Sequence, residues 1–488
     1  MQKQKPRLKQ LWPAFAFFLI LIIGISSRIS LLEMRDYWYD ESFTGITIRQ
    51  DWSAMNQIIV NDVHPPLYYW LLKIASLVIG ANPISLRLFS VFFGVATIVL
   101  AFVALREWYP KSWLPAVLGS FIFAINPFLA NYSQEARMYT LLGFLLLLAA
   151  FFLMRARQHN HRLAWLLYAL TGAAILLTHY LGFIFMLGFF LYDAWQEWKS
   201  SPSKRSWKKH GRWFGLAYGI PTVIGLAWLP FFIKQVSVRG ALGWVPNKAL
   251  YELPVSLHIF LFGAPVGVTG VPPPLGYAVP WLNVSIITFL LTIALIVLIA
   301  WLTIKKRWDK QVAFLGFMTA FPLFFTWILQ AVQLQLYVER FLSGSGVFFM
   351  LFLVAALWEL PKQSWLVAGV SVYTVLVLFI QPYPYKTTFP LLAETAKQAL
   401  PDAVIVSTSP FDFANLRFYL GEERRESLKL YHANNVSENF SSWALFEAKD
   451  QIFSLPTTPH LIITPQPQLF GDYRLRDSIN GFSILEKS

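Results

Sequence analysis

The sequence predicts a polytopic α-helical membrane protein of about eleven spans with a small α/β domain at its C-terminal end. Three observations carry this. Of the 488 residues, 56% are hydrophobic and only 14% charged, where a soluble chain is about a quarter charged. Apolar windows long enough to cross about 30 Å of hydrocarbon recur between residues 12 and 380. Past residue 381 the composition turns polar, and β-like runs alternate with helical ones.

The windows fall at 12–32, 87–105, 113–130, 138–154, 163–178, 181–196, 213–233, 282–303, 312–331, 341–359 and 364–380. The positive N-terminal flank (Lys3, Lys5, Arg7, Lys9) leads into an apolar run with no small-residue cleavage site, so the run reads as an uncleaved first span. With the N-terminus inside, simple alternation puts the basic segments 106–111, 155–162, 199–212, 305–310 and 361–362 on the cytoplasmic side. Residues 33–86, 133–137, 234–281 and everything after 380 then lie outside. This suits the inner, or plasma, membrane. It also explains the net charge of +14 by topology, so nucleic acid is not expected as a partner. Without cysteine, disulfides and thiolate ligands are excluded.

Two apolar stretches must stay out of the span count for the alternation to hold. Residues 66–80, started by Pro65-Pro66 and carrying Tyr68, Tyr69, Trp70 and Lys73, read as an amphipathic helix at the outer interface. Residues 253–265 read as a second interfacial helix, followed by the Gly/Pro-rich 266–280, a candidate gate. The predicted organisation is a membrane domain over 1–380, with outer loops 33–86 and 234–281, and an extracytoplasmic α/β domain over 381–488. In the latter, helices are expected at 391–400 and 413–421, and strands at 403–408, 428–432 and 460–465. It has no glycine-rich phosphate loop.

The polar residues that could carry chemistry gather on the outer side of this topology. Asp40-Glu41 sits in an acidic first loop behind the first span; a solvated loop is the plainer explanation. Asp62 and His64 precede the double proline. Tyr132, Gln134, Glu135 and Arg137 are squeezed between two spans, and His179-Tyr180 forms another tight turn. Glu339-Arg340 opens a later span; His258 reads as structural. Ionisable groups at span ends are expensive and tend to be functional. Arginines suit phosphate oxygens, carboxylates suit a hydroxyl, and aromatics stack on a sugar or an isoprenoid. That chemistry fits a substrate with a lipid tail and a phosphate head. It leaves open a transferase, a lipid-linked-sugar flippase and a non-catalytic envelope-assembly subunit.

The order YWYDESFT (37–44), DVHPPLYYW (62–70), LRLFSVFFGVATIV (86–99) and YSQEARMYTLL (132–142) resembles the GT-C superfamily of membrane glycosyltransferases. Within it, the likeness is to the dolichyl- and polyprenyl-phosphate-sugar transferases, which include protein O-mannosyltransferases and the lipid A aminoarabinose transferase. The resemblance covers roughly residues 10–360 and is densest over the first 200. It implies a GT-C fold and inverting transfer from a polyprenyl-phosphate sugar to a hydroxyl of a protein, glycan or lipid. It implies that Asp40 is catalytic with Glu41 its motif partner, and that Glu135 and Arg137 are the second-loop acid and its arginine. The expected substrate contacts are His64, Tyr68, Tyr132 and Arg137, with Tyr139, His179, Tyr180 and Arg340 further along. Some members bind a divalent metal; here Glu41, His64 and Glu135 are the candidates, and the spacing does not force a site. Unlike the eukaryotic O-mannosyltransferases, the chain has no MIR domain in a central loop.

Overall fold

The computed structural model describes residues 8–30, 32–33, 35–159, 161–200, 205–236, 245, 247–263, 277–278, 282–305, 308–382, 388–399, 403–431 and 448–487. Most of the gate expected at 266–280, residues 383–387 of the linker, and Lys3, Lys5 and Arg7 lie outside them.

The chain begins with α1 (Leu8–Ile29), then three shorter helices, α2 (Tyr39–Arg49), α3 (Trp52–Val60) and α4 (Leu67–Ile79). Next come α5 (Pro83–Trp108), α6 (Leu114–Ile125), α7 (Pro127–Ser133), α8 (Tyr139–His159), α9 (Arg162–Thr178) and α10 (Gly182–Ser200). They are followed by α11 (Arg205–Val236), α12 (Glu252–Phe262), the short strand β1 (Tyr277–Ala278), α13 (Leu282–Lys305) and α14 (Lys310–Leu329). Then come α15 (Ser343–Trp358), α16 (Ser364–Val377) and β2 (Gln381–Pro382), which pairs antiparallel with β1. The C-terminal part is α17 (Phe389–Ala399), β3 (Val404–Ser407), α18 (Pro410–Leu420) and β4 (Leu428–Tyr431). It ends with β5 (Gln451–Ile452), β6 (His460–Thr464), β7 (Tyr473–Ile479) and β8 (Phe482–Lys487).

Ten of the predicted apolar windows each coincide largely with one helix, and 113–130 falls on the bent pair α6–α7. Among the described residues, six helices are long and apolar enough to cross a membrane, and seven if the bent pair α6–α7 is one span. The chain divides into two compact units. A helical unit holds 1–30, 87–230 and 242–383; a mixed unit holds 31–86, 231–241 and 384–488.

In the helical unit, the break between α6 and α7 shows how an interrupted span satisfies its backbone. Pro127 has no N–H to give the carbonyl of Phe123 four residues back, so the helix turns by 59° there. Arg28, at the end of α1, donates through Nη2 to Phe123 O at 2.9 Å and through Nη1 to Ala124 O at 3.1 Å. Ser27 Oγ adds a second bond to Ala124 O at 3.0 Å. Asn126 restarts the chain by accepting the Leu129 N–H at 2.8 Å, and its Nδ2 reaches Phe260 O at 3.0 Å on α12. Apolar surroundings offer no water for these groups, so the partners must come from the protein.

Residues 253–265 differ from expectation. The helix there, α12, is 11 residues long, about 16 Å at 1.5 Å per residue, too short to cross. It does not lie free at an interface: Leu253, Ser256 and His258–Phe262 are buried, packed against α7, α13 and α15. The Nε2 of His258 lies 3.1 Å from Thr288 Oγ1.

In the mixed unit, α4 has 13 residues and two characters. Tyr68, Tyr69 and Leu72 are buried, while Leu77 and Val78 near its end are 78% and 89% exposed, the pattern of a helix lying at an interface. Lys73, the residue that argued against a span, donates to the carbonyls of Ile48 (3.0 Å) and Gln50 (2.5 Å) at the end of α2. The sheet has the order β5-β4-β3-β6-β8-β7, with β3 parallel to β4 and β6, and β8 antiparallel to β6 and β7. Val406, Ile462, Phe470 and Leu485 form its core. The expected strands at 403–408, 428–432 and 460–465 are present, and α17 and α18 occupy the expected helical stretches. The β7–β8 hairpin was not anticipated.

Arg28→Met removes the donors to Phe123 O and Ala124 O without emptying the space; Ala124 O keeps Ser27 Oγ, while Phe123 O is left short of a partner at about 1–3 kcal/mol. Its thermal midpoint in detergent should fall by several degrees, and an unchanged midpoint would remove Arg28 from this role. Burial pushes the Asp412 carboxyl, in the first turn of α18, up to about 6 from its ordinary 3.8. The folded state therefore holds a proton that the unfolded state has lost, and this contribution to stability falls as pH rises from about 4 through 6. Asp412→Asn should flatten that part of the midpoint-versus-pH curve relative to the parent.

Candidate active site

The candidate residues form two groups, one in each unit. In the mixed unit, α2 begins immediately at the acidic pair. Trp38 precedes it in extended backbone, and the N–H groups of Glu41 and Ser42 both bond to Trp38 O at 3.0 Å. Asp40 and Glu41 thus occupy the first helical turn, where carboxylates sit favourably at the positive end of the helix. They differ in surroundings. Glu41 is 1% exposed, whereas Asp40 is only half-buried. Thr44 Oγ1 bonds back to the Asp40 carbonyl at 2.9 Å.

The Asp62–His64 segment lies in the same unit. Asp62 is buried, its Oδ2 3.0 Å from His64 Nδ1 and 3.5 Å from the Tyr69 hydroxyl. Gln235 holds the segment by donating to Ile59 O (2.7 Å) and His64 O (3.3 Å). Tyr68, expected as a substrate contact on an interfacial helix, is fully buried, edge-on to Tyr69 at 6.1 Å. The reason is the helical period: Tyr68, Tyr69 and Leu72 share the inward stripe of α4.

In the helical unit, the tight turn after α7 buries Gln134, Glu135 and Arg137 almost completely. Gln134 Nε2 donates to Ser27 O at 3.0 Å, and the Arg137 N–H closes on Glu135 O at 2.8 Å. Aromatic side chains join the turn to the other candidates. Tyr132 meets Tyr139 edge-on at 5.5 Å, Tyr139 lies 6.2 Å from His179, and His179 is 5.2 Å from Phe341. The Arg340 guanidinium lies 5.4 Å from the Phe341 ring, and the charged groups acting on Tyr132 are Glu135, Arg340 and Glu339. So Tyr132, Glu135, Tyr139, His179 and Arg340 belong to one cluster. Tyr180 turns elsewhere, its hydroxyl accepting from Trp228 Nε1 at 3.0 Å. His179 Nδ1 accepts the Leu181 N–H at 3.1 Å, which leaves Nε2 to carry the ring proton. Glu339 is taken up by Ser256 Oγ at 3.0 Å and Lys248 at 3.6 Å.

Arg28 is the residue that sequence reasoning passed over. It is 1% exposed and lines a small cavity with Thr97, Tyr132, Ser133, Tyr139 and Ser343. The signal was an arginine inside the first apolar window, in GISSRIS. Among the described residues, no three His, Cys, Asp or Glu side chains gather as a metal site.

Residues 63–228 match the family Dolichyl-phosphate-mannose-protein mannosyltransferase. Curated proteins give no significant match by sequence. Among solved structures, ArnT from Cupriavidus metallidurans in the apo state aligns over 98% of both chains with a TM-score of 0.60 at 12% identity. The apo oligosaccharyltransferase of Archaeoglobus fulgidus aligns over 85% of this chain and 64% of its own, with a TM-score of 0.52 at 12% identity. The S. cerevisiae protein O-mannosyltransferase Pmt1-Pmt2 complex bound to its sugar donor aligns over 47% of this chain and 35% of its own, with a TM-score of 0.38 at 19% identity. In its motifs, in the family match over 63–228 and in the fold it shares with ArnT, the chain resembles a GT-C superfamily membrane glycosyltransferase of the O-mannosyltransferase and ArnT kind.

Proposed function

We propose that the protein is an inverting glycosyltransferase that moves a monosaccharide from a polyprenyl-phosphate carrier to an acceptor hydroxyl at the outer face of the membrane. The observation that carries this reading is the family match over 63–228, in a chain whose first loop sets two carboxylates on the first turn of α2. The acceptor oxygen bonds to the anomeric carbon from the face opposite the phosphate. The bond from that carbon to the phosphate oxygen breaks, and its electron pair leaves with the polyprenyl phosphate. The acceptor proton passes to a carboxylate within about 2.6–3.2 Å. Asp40 takes this role: the family pattern points to it, and it is half-buried where Glu41 is enclosed. The leaving phosphate needs no proton, only positive charge that strengthens as the bond breaks, the role given to Arg137 and Arg340. Glu41 and Glu135 orient donor or acceptor. His64, Tyr132, Tyr139 and His179 complete the contacts.

Purified protein given a labelled polyprenyl-phosphate monosaccharide should release free lipid phosphate. Asp40→Asn should lower turnover by about 10²–10⁴-fold with little change in donor affinity, and Arg137→Ala should weaken both. Near-normal turnover in Asp40→Asn would move the base to Glu41 or Glu135. Passage of intact donor between leaflets without phosphate release would reject the transferase.

The same reading sets eleven spans, a cytoplasmic N-terminus and an outer C-terminal domain in a plasma membrane. Because the chain has no cysteine, single cysteines at Lys111 and Ser478, both exposed, report topology directly. Lys111→Cys should label from the cytoplasmic side and Ser478→Cys from the other. Labelling of both from one side would overturn the arrangement.

A further inference from the structure

The mixed unit joins two stretches far apart in sequence, the first loop and the C-terminal sheet domain, and their contact is built on α2 and α18. Ser42, Gly45 and Arg49 stand three and four residues apart, so they form one stripe along α2. That stripe meets α18 at every step. Ser42 Oγ donates to Asn415 Oδ1 at 2.6 Å, both side chains buried. Gly45 lies so close to Phe418 that a Cβ there would come within 2.4 Å of its ring. Arg49 spreads its guanidinium over the same ring at 4.1 Å and donates to Phe418 O at 3.2 Å. Just before α2, Tyr37 stacks on Phe418 at 4.7 Å, and its N–H bonds to the Tyr419 hydroxyl at 2.9 Å. Asp36 accepts from the N–H groups of Thr388 and Phe389 (2.9 Å for the latter), closing the start of α17. Asp40 precedes Ser42 by two residues, about 200° round the helix, and so faces away from α18.

We propose that α18 is the positioning element for the first-loop carboxylates: Asn415 and Phe418 fix the rotation and height of α2 and thereby where Asp40 stands. Asn415 supplies a polar key that only one rotation of α2 can engage. Phe418 sets the distance, since Gly45 alone permits so close an approach. The C-terminal domain is in this way part of the transfer machinery without touching substrate. The inference rests on the reading of Asp40 as the base.

The test is a mutant cycle in full-length protein, with lipid-phosphate release as the assay and thermal midpoint as the folding control. Asn415→Ala, and separately the milder Ser42→Ala, should lower kcat by about 10-fold or more with donor KM nearly unchanged, as displacement of a catalytic group does. In an Asp40→Asn background, measured by single turnover, neither should cost anything further, because no base is left to position. Gly45→Ala should lower kcat similarly, and Phe418→Leu should restore part of the loss by removing the ring edge. Losses that multiply with that of Asp40→Asn, or a KM effect alone, would overturn the positioning role while leaving Asp40 as base. Unchanged kcat in Ser42→Ala, Asn415→Ala and Gly45→Ala, all folded, would overturn it equally. An Asp40→Asn enzyme with normal turnover would instead overturn the function on which the inference stands.

Discussion

The arrangement of the helical unit depends on the break at Asn126-Pro127. Proline deletes one helix hydrogen bond and bends the segment, which exposes the carbonyls of Phe123 and Ala124 where no water replaces the lost donors. A buried arginine from α1 meets both, and Asn126 caps the new helix while tying it to α12. Only with those partners can the short helix α7 end where it does and deliver Glu135 and Arg137 in a turn of a few residues. The polar groups that look costly for a membrane protein are therefore of two kinds. Arg28 and Asn126 repair the backbone, and the turn they support carries the candidate chemistry.

Much of this was legible in the sequence. The apolar windows gave the helices, because a span needs a long uninterrupted run and few other segments supply one. The alternation of basic loops kept 66–80 out of the span count, and the structure shows its Lys73 closing the end of α2. The 253–265 segment misled, because an 11-residue apolar helix has the same composition whether it lies on a surface or is enclosed by neighbours. The β7–β8 hairpin was missed for a different reason. Its first strand, YRLRDSI, is charged and exposed and lacks the apolar alternation used to find strands. The turn itself was readable: Asn480 and Gly481 both take positive φ, 48° and 91°, the conformation that an Asn-Gly pair favours in a two-residue hairpin.

Within the candidate site, motifs identified residues but not their environments. Asp40 and Glu41 are neighbours of equal chemistry in the sequence, and only the helix phase separates one that is half-buried from one that is enclosed. Tyr68 and Tyr180 were both expected as substrate contacts, yet one is turned into the core and the other bonds to Trp228. Asn415 and Phe418 had no signal at all. A single asparagine or phenylalanine in a soluble-looking helix is ordinary until its partner is known, and that partner is some 370 residues away.

That separation constrains how the site can form. Contacts of the helical unit such as α8 with α9, or α14 with α15, join successive helices and cost little chain entropy to close. The bond from Ser42 to Asn415 spans 373 residues, and Tyr37 to Tyr419 spans 382. During synthesis from the N-terminus, α2 exists long before α18 is made. Until then its Ser42 hydroxyl and the glycine-lined stripe beside it have no counterpart. The acidic turn is thus among the first polar segments synthesised, yet its contact with α18 forms only after some 370 further residues are made. A carboxylate that must be held to a fraction of an ångström for proton transfer gains that precision only once the C-terminal domain is in place.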